Sequence, residues 1–120
     1  RRRDKPNLLS DGDNLVLLDH EQAFSFLRGV INWRPAWNAG PLNHMPRHVF
    51  FTQMKGRQHS FERLSGALEA VSDQKLDEYA TLVPSEWKTG NDSTERILDY
   101  LKQARDNRAA LFAAVTQLLT

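Results

Sequence analysis

Apolar residues change their spacing along the chain, and the change separates a short hairpin from a longer helical part. Two apolar runs, Leu8-Leu9 and Leu15–Leu18, lie on either side of the stretch Ser10–Asn14. Because Asp, Asn and Gly favour tight turns, this arrangement predicts a β-hairpin. Both faces of the second run are apolar, so we expect that strand to be largely buried.

Beyond about His48 the apolar residues recur every three or four positions, as on one face of a helix. Ser72 or Asp73 can cap a helix and so marks the start of a second helix. The spacing predicts one buried apolar stripe before Ser72 and another after Asp73. Pro84 then begins a turn that we expect Trp87 to anchor. The first stripe is Phe61, Leu64, Leu68 and Val71, and the second is Leu76, Tyr79, Ala80 and Val83.

The clearest helical pattern lies at the C-terminal end. The sequence Asp92-Ser93-Thr94-Glu95 resembles a capping box with Asp in its first position. The apolar stripe after it predicts either one long helix facing the core or two helices with a break near Asp106-Asn107. The stripe is Ile97, Leu101, Ala104, Leu111, Val115 and Leu118, interrupted by Arg108.

The segment between the hairpin and these helices is rich in Pro, Gly and Trp. We expect a short helix through Ala23–Leu27, followed by a packed loop in which Trp33 and Trp37 are packing anchors or line a substrate groove. The fold class is therefore mainly α with one small β-hairpin. We divide the single partial domain 1–120 into a hairpin region 1–19, a Trp/Pro-rich segment 20–46 and a helical subdomain 47–120.

Composition narrows the possible functions. Sixteen basic and fifteen acidic residues leave a net charge of +1, which argues against a dedicated nucleic-acid-binding protein. The absence of cysteine excludes disulfides, thiolate metal sites and cysteine nucleophiles, and it agrees with a cytoplasmic location. No apolar run reaches the roughly 20 residues of a membrane helix. The chain opens at Arg1 without a methionine, which we interpret as a portion of a longer protein.

The candidate chemistry lies at the open end of the hairpin. If the turn is centred near Asp13, Asn7 and Asp19 are equidistant from it and face each other across the antiparallel pair. An amide oxygen and a carboxylate at that separation suit Mg²⁺, whose remaining ligands would be phosphate oxygens and water. The sequence therefore predicts Asn7 and Asp19 as metal ligands beside a nucleotide, with ordinary strand-end polarity as the alternative.

Other polar residues have a structural alternative that we favour or leave open. We interpret the two aspartates of the hairpin loop as turn residues. Two histidines have the i, i+4 spacing of a zinc pair, but Pro46 lies between them, so we interpret them as loop residues. The basic run at the start of the chain could bind phosphate or be solvated. The His-Glu pair after Asp19 could orient the Asp19 carboxylate or have a structural role. These residues are Asp11 and Asp13, His44 and His48, Arg1-Arg2-Arg3, and His20-Glu21.

The motif KPNLL, followed by LVLLDHEQAF, resembles the catalytic-loop and metal-binding region of HipA-like protein kinases. The turn Val83-Pro84-Ser85-Glu86-Trp87 is also similar to that family. The resemblance implies the C-terminal lobe of a protein-kinase-like fold, with Asn7 and Asp19 as Mg²⁺ ligands at an ATP site. It places the catalytic-base aspartate upstream of Arg1, together with the glycine-rich loop and the ATP-binding lysine.

On this resemblance the parent protein transfers the γ-phosphoryl group of ATP to a Ser or Thr hydroxyl, and the 120 residues alone are inactive. One departure from the family is Lys5, which stands where the first Asn of Asn-Pro-Asn is common. It supports an alternative hypothesis, a non-catalytic helical interaction module or a degenerate kinase remnant. Some HipA-like kinases are toxins held by a DNA-binding partner, but the sequence identifies neither an antitoxin-like partner nor a protein substrate.

Overall fold

The structure is a computed structural model of the 120-residue chain, and it describes residues 8–18, 24, 35, 37–38, 41–48, 50–88 and 93–120. Within these ranges a two-stranded antiparallel hairpin is followed by helices, which confirms the mainly α fold class with one hairpin. The predicted helix at Ala23–Leu27 and the capping aspartate Asp92 lie outside the described residues, apart from Phe24. In the described part of the chain no helix is long and apolar enough to cross a membrane.

The hairpin strands are short, and the helices lengthen toward the C-terminus. Strand β1 spans Leu8–Ser10 and strand β2 spans Leu15–Leu17. In the described part of the chain, 3-10 helices occupy Pro41–Arg47 and Ser85–Trp87. The α-helices are α1 (Phe51–Met54), α2 (Glu62–Glu69), α3 (Asp73–Thr81), α4 (Ser93–Asp106) and α5 (Arg108–Leu119).

Helix α3 begins as predicted. Ser72 has an extended backbone, and its hydroxyl oxygen accepts a hydrogen bond from the backbone N–H of Lys75 at 3.1 Å. This bond satisfies one of the N–H groups that the first helical turn leaves without an intrahelical partner. Leu76, one turn into the helix, is buried. The sequence therefore identified the first core residue of α3, and Ser72 is the one of the two predicted caps that the structure has.

Arg105 of α4 connects that helix to the start of α3. Its guanidinium donates to the Val71 carbonyl at 2.9 Å, to Asp73 at 2.6 Å and to the neighbouring Asp106 at 2.8 Å. The two carboxylates, Asp106 first, raise the pKa of Arg105 above its ordinary value. Lys102, one turn earlier, pairs with Asp77 at 3.0 Å. Charged groups thus align α3 and α4 along their shared surface.

Of the two predicted alternatives, the structure has two helices with a break near Asp106-Asn107, because α4 ends at Asp106 and α5 begins at Arg108. Helix α5 folds back along α2. The rings of Phe61 and Phe112 stack with centroids 5.4 Å apart and planes 9° from parallel, and Arg108 pairs with Glu69. Since Phe61 precedes α2 and Glu69 ends it, these two contacts show that α2 and α5 run antiparallel.

The C-terminal end of α5 is held by α1. The backbone N–H of Gly56 donates to the Leu119 carbonyl at 2.7 Å. Gly56 has φ +76°, a left-handed conformation that glycine adopts without a steric penalty, and it ends the turn after α1. Leu119 is 1% exposed, and Phe51 of α1 is also buried. Among the described residues the most deeply buried leucine is therefore Leu119, which lies next to the predicted stripe and not in it.

Two apolar residues that the spacing predicted to be buried are exposed, and so is the predicted anchor of the turn after Pro84. Leu64 of α2 and Tyr79 of α3 face solvent, and Trp87 is 74% exposed instead of anchoring the turn after Pro84. Helix α2 packs on α5 and α4, whereas α3 packs on α4. Each of these helices therefore covers one side of its neighbour and leaves part of its own apolar stripe uncovered. The spacing correctly predicted the helices but overestimated how much of each apolar stripe is buried.

Candidate functional site

The candidate site is the hairpin, whose strands carry the two halves of the motif that resembles HipA-like kinases. Its register pairs Leu8 with Leu17, Leu9 with Val16 and Ser10 with Leu15. The chain enters the hairpin at Leu8 and leaves it after Leu17, so both ends open on the same side. The predicted hairpin between these apolar runs is confirmed.

The turn of the hairpin is built by Asp11 and Asn14. The Asp11 carboxylate accepts hydrogen bonds from the Asn14 backbone N–H at 2.9 Å and from its side-chain amide at 3.1 and 3.2 Å. These bonds, the backbone bond first, lower the pKa of Asp11. Gly12 between them has φ +104°, a conformation that a residue with a Cβ rarely adopts. Asp11 therefore has the turn role that we favoured.

The predicted ligands Asn7 and Asp19 lie outside the described residues, as do Lys5, His20, Glu21 and Arg1-Arg2-Arg3. The register of the described strands shows where the centre of the turn lies, and the predicted pairing of Asn7 with Asp19 depends on that centre. Paired residue numbers sum to 25, so the centre of the turn lies between Gly12 and Asp13. The direct pairing of positions 7 and 19 assumed a centre at Asp13, half a residue further along. The described strands therefore bring the two sequence segments together without supplying that direct pairing.

The expectation that the second strand is buried is wrong. Leu15, Val16 and Leu17 are all exposed, Leu17 by 69%. Two strands of three residues cannot cover their own faces, and the hairpin has few contacts with the helices that the structure describes. Strands this short are marginally stable unless a third strand or a helix covers them. The apolar hairpin is thus a surface that the described residues leave open.

The two histidines with the spacing of a zinc pair lie in a 3-10 helix and directly after it. His44 lies in the 3-10 helix Pro41–Arg47, which has three residues per turn, and His48 follows it. A spacing of four therefore does not place them on one helical face, and the ring of His48 lies near that of Phe50. Among the described residues, no three His, Asp or Glu side chains form a group that could hold a metal ion.

Of the two predicted roles for Trp37, packing anchor or lining of a substrate groove, its contacts agree with the packing role. Its ring stacks on that of Tyr100 with centroids 5.4 Å apart, and Phe24 meets the same ring edge-on at 6.4 Å. Burial raises the pKa of the Tyr100 hydroxyl above its ordinary value. These contacts join the segment 20–46 to α4, so Trp37 has a packing role. Trp33 lies outside the described residues.

The sequence did not predict a groove of about 640 Å³ between α2 and α5. Small side chains from both helices line it together with larger ones, which are His59, Glu62, Glu69 and the stacked rings of Phe61 and Phe112. We call it the small-residue groove and define it by Ser65, Gly66, Ala109, Ala113 and Thr116. The signal that could have revealed it is the set of alanines in α5, a mainly apolar helix whose polar residues are Arg108, Thr116 and Gln117.

Comparison of the chain with protein-family models, curated proteins and solved structures gives no match.

Proposed function

We propose that this chain is the C-terminal portion of a HipA-like kinase that transfers the ATP γ-phosphoryl group to a Ser or Thr hydroxyl. The observation that supports the proposal is the antiparallel pairing of the two motif segments. Leu8 follows the KPN sequence and Leu17 precedes the Leu18-Asp19 sequence, and these two leucines are paired. Kinase active sites place a catalytic-loop Asn and a metal-binding Asp on either side of such a hairpin.

The exposed hairpin agrees with this proposal. Leu9, Leu15, Val16 and Leu17 are more than half exposed, and a group of exposed apolar side chains is typical of a surface that contacts other protein. In a kinase the corresponding region lies between the two lobes, where other parts of the enzyme cover it. Under the proposal, the upstream part of the longer protein covers this hairpin and supplies the base, the phosphate-covering loop and the ATP-binding lysine. The helices α2–α5 would then belong to the C-terminal lobe.

The proposed residues fit the proposed metal by their chemistry, because an amide oxygen and a carboxylate are hard oxygen donors of the kind that Mg²⁺ prefers. When bound, Mg²⁺ neutralises the charge on the β- and γ-phosphates. The Asp19 carboxylate would hold it from the strand end, and the Asn7 amide oxygen would hold it from the catalytic loop. Catalysis of this type depends on positioning and on electrostatic stabilisation, so loss of either ligand should lower turnover.

The test is Asp19→Asn in the longer protein. The substitution is nearly isosteric and removes one negative charge, so we expect turnover to fall by about 10²-fold or more with an unchanged circular dichroism spectrum. The matched control is Asp13→Asn, an exposed turn residue of the same hairpin, which should keep wild-type activity. Wild-type turnover by the Asp19→Asn protein would show that Asp19 is not a metal ligand.

The second candidate function is a non-catalytic interaction module or a degenerate kinase remnant. Lys5, in place of the common asparagine, and the exposed Leu82 and Trp87 favour it, since large exposed apolar side chains are typical of interaction surfaces. Thermal unfolding of the longer protein separates the two candidates. Stabilisation by ATP with Mg²⁺ together with phosphoryl transfer supports the kinase. Stabilisation without transfer supports a nucleotide-binding remnant, and no response supports the interaction module.

A further inference from the structure

We propose that Ser60, between α1 and α2, is a phosphorylation site for a Ser/Thr kinase that recognises a basic residue three positions before its target. In the reaction the Ser60 Oγ attacks the γ-phosphorus of ATP held by that kinase, and the bond from this phosphorus to the ADP oxygen breaks. The Oγ proton passes to a base of the kinase, so the products are phosphoserine and ADP. The proposal does not depend on the proposed function, because a second enzyme carries out the transfer.

The residues before Ser60 distinguish it from every other hydroxyl residue of the chain. Arg57 lies three positions before Ser60, whereas no other serine or threonine in the sequence has Arg or Lys at that position. Protein kinases select their substrates in part by the pattern of charges around the target residue. An Arg is well suited to such selection, because its guanidinium can donate two parallel hydrogen bonds to a carboxylate of the enzyme.

The backbone around Ser60 is open to an enzyme. Gln58, His59 and Ser60 belong to no helix or strand, and their backbone groups make no hydrogen bond with the backbone of any described residue. The ring of His59 contacts the Met54 carbonyl oxygen at 2.7 Å and holds the segment to the end of α1. A segment without backbone hydrogen bonds opens locally at little cost. A kinase can therefore bind it in an extended conformation without breaking a helix or a sheet.

The hydroxyl of Ser60 is exposed and available for the reaction. Its oxygen accepts a hydrogen bond from the Glu62 backbone N–H at 3.4 Å, which is longer than usual for such a bond, and its O–H donates to no described residue. Other hydroxyls of the chain are engaged more closely. That of Ser72 accepts at 3.1 Å as the cap of α3, and those of Thr81 and Thr116 donate to carbonyl oxygens at 2.7 and 2.8 Å.

The charges near Ser60 in the sequence suit a phosphate group. Lys55, Arg57 and Arg63 are exposed and make no ion pair with any described residue. Against these three positive side chains the segment between Lys55 and Arg63 has one negative side chain, that of Glu62. A phosphoserine carries a charge of about −1.5 to −2 at neutral pH, and nearby Arg side chains accommodate it. The modified residue would therefore meet mainly opposite charge.

The test is incubation of the folded 120-residue chain with ATP, Mg²⁺ and a purified Ser/Thr kinase that requires Arg three positions before its target. Mass spectrometry of peptides then locates the phosphate, which we expect at Ser60. Ser60→Ala should abolish the transfer. Arg57→Gln should lower kcat/KM by about tenfold or more, because the kinase loses a charge-assisted hydrogen bond. Far-UV circular dichroism establishes that both variants keep their helices.

Two control variants separate recognition of Arg57 from a general effect of positive charge. Arg63→Gln removes the same charge three positions after Ser60 and should leave kcat/KM unchanged. Ser65→Ala removes the next hydroxyl along the chain and should leave the position and the extent of phosphorylation unchanged. The absence of transfer to the folded chain overturns the proposal. So does phosphate at another residue, transfer that requires prior unfolding in urea, or an equal loss of kcat/KM in Arg57→Gln and Arg63→Gln.

Discussion

Leu17 of the hairpin and Leu119 of α5 both stand in apolar runs, yet Leu17 is 69% exposed and Leu119 is 1% exposed. The difference follows from what lies beside each run. Leu119 is enclosed at the junction of α1 and α5, where a backbone hydrogen bond from Gly56 fixes the two ends together. The hairpin has two short strands, and it has few contacts with the other elements that the structure describes. An apolar run thus indicates a need for burial, while the elements available nearby decide whether that need is met.

The largest effect on stability is expected from Leu119→Ala. Removing a fully buried leucine side chain costs about 2–5 kcal/mol, because the lost burial is added to the cost of the cavity. Urea unfolding followed by circular dichroism measures the change. Leu82→Ala is the matched control, since Leu82 is exposed and its substitution should change the free energy of unfolding by less than about 0.5 kcal/mol. Equal effects of the two substitutions would contradict the burial of Leu119.

The sequence predicted local features more reliably than contacts between distant segments. The hairpin turn depends on a few adjacent residues, and it is confirmed. The cap of α3 and the break after Asp106 are also local, and in each case the structure has one of the two predicted alternatives. The role of Arg105 depends instead on Val71 and Asp73, more than thirty positions away. Arg108, which interrupts the apolar stripe from Ile97 to Leu118, likewise pairs with a distant residue, Glu69. A spacing pattern records which face is apolar, but it does not record which partner reaches that face.

The same limit applies to the candidate site. The motif residues predicted a hairpin, and the hairpin is present with its two motif segments paired. The exact register could not be predicted, because a shift of the turn centre by half a residue changes which positions face each other. The small-residue groove was missed because alanine, serine and glycine give no periodic signal of their own. The groove depends on the tertiary contact between Phe61 and Phe112, which places α2 beside α5.

The next effect is expected at Arg105. Arg105→Lys keeps the positive charge but loses the planar fork that reaches the Val71 carbonyl and two carboxylates together. We therefore expect a lower urea midpoint than in the wild type, with a smaller shift than for Leu119→Ala. The control is Arg96→Lys, because Arg96 is exposed on the same helix and makes no ion pair with a described residue. An unchanged midpoint in Arg105→Lys would show that this contact contributes little to the packing of α3 on α4.

A smaller, pH-dependent effect is expected at Asp73. The hydrogen bond from Arg105 lowers the pKa of Asp73 below its ordinary value of 3.8. Ionised Asp73 therefore stabilises the folded state above that value, and this contribution is lost as the pH falls through the lowered pKa. We expect wild type to exceed Asp73→Asn in stability at pH 7, with the difference narrowing at acid pH and in high salt. Asp99→Asn is the control, because its carboxylate accepts a hydrogen bond from a neutral amide, that of Gln103.

The smallest effect is expected in the hairpin, and it returns to the contrast between Leu17 and Leu119. Threonine suits a strand and is polar, so Leu17→Thr in the 120-residue chain should change the free energy of unfolding by less than about 0.5 kcal/mol. If the proposed kinase is correct, the upstream part of the longer protein covers Leu17. The same substitution should then cost about 1.5–3 kcal/mol there, the value typical of burying a leucine side chain. Urea unfolding of both proteins, each with and without the substitution, makes the comparison. A cost that stays below about 0.5 kcal/mol in the longer protein would mean that its hairpin is also exposed, and the kinase proposal would lose the support it draws from this surface.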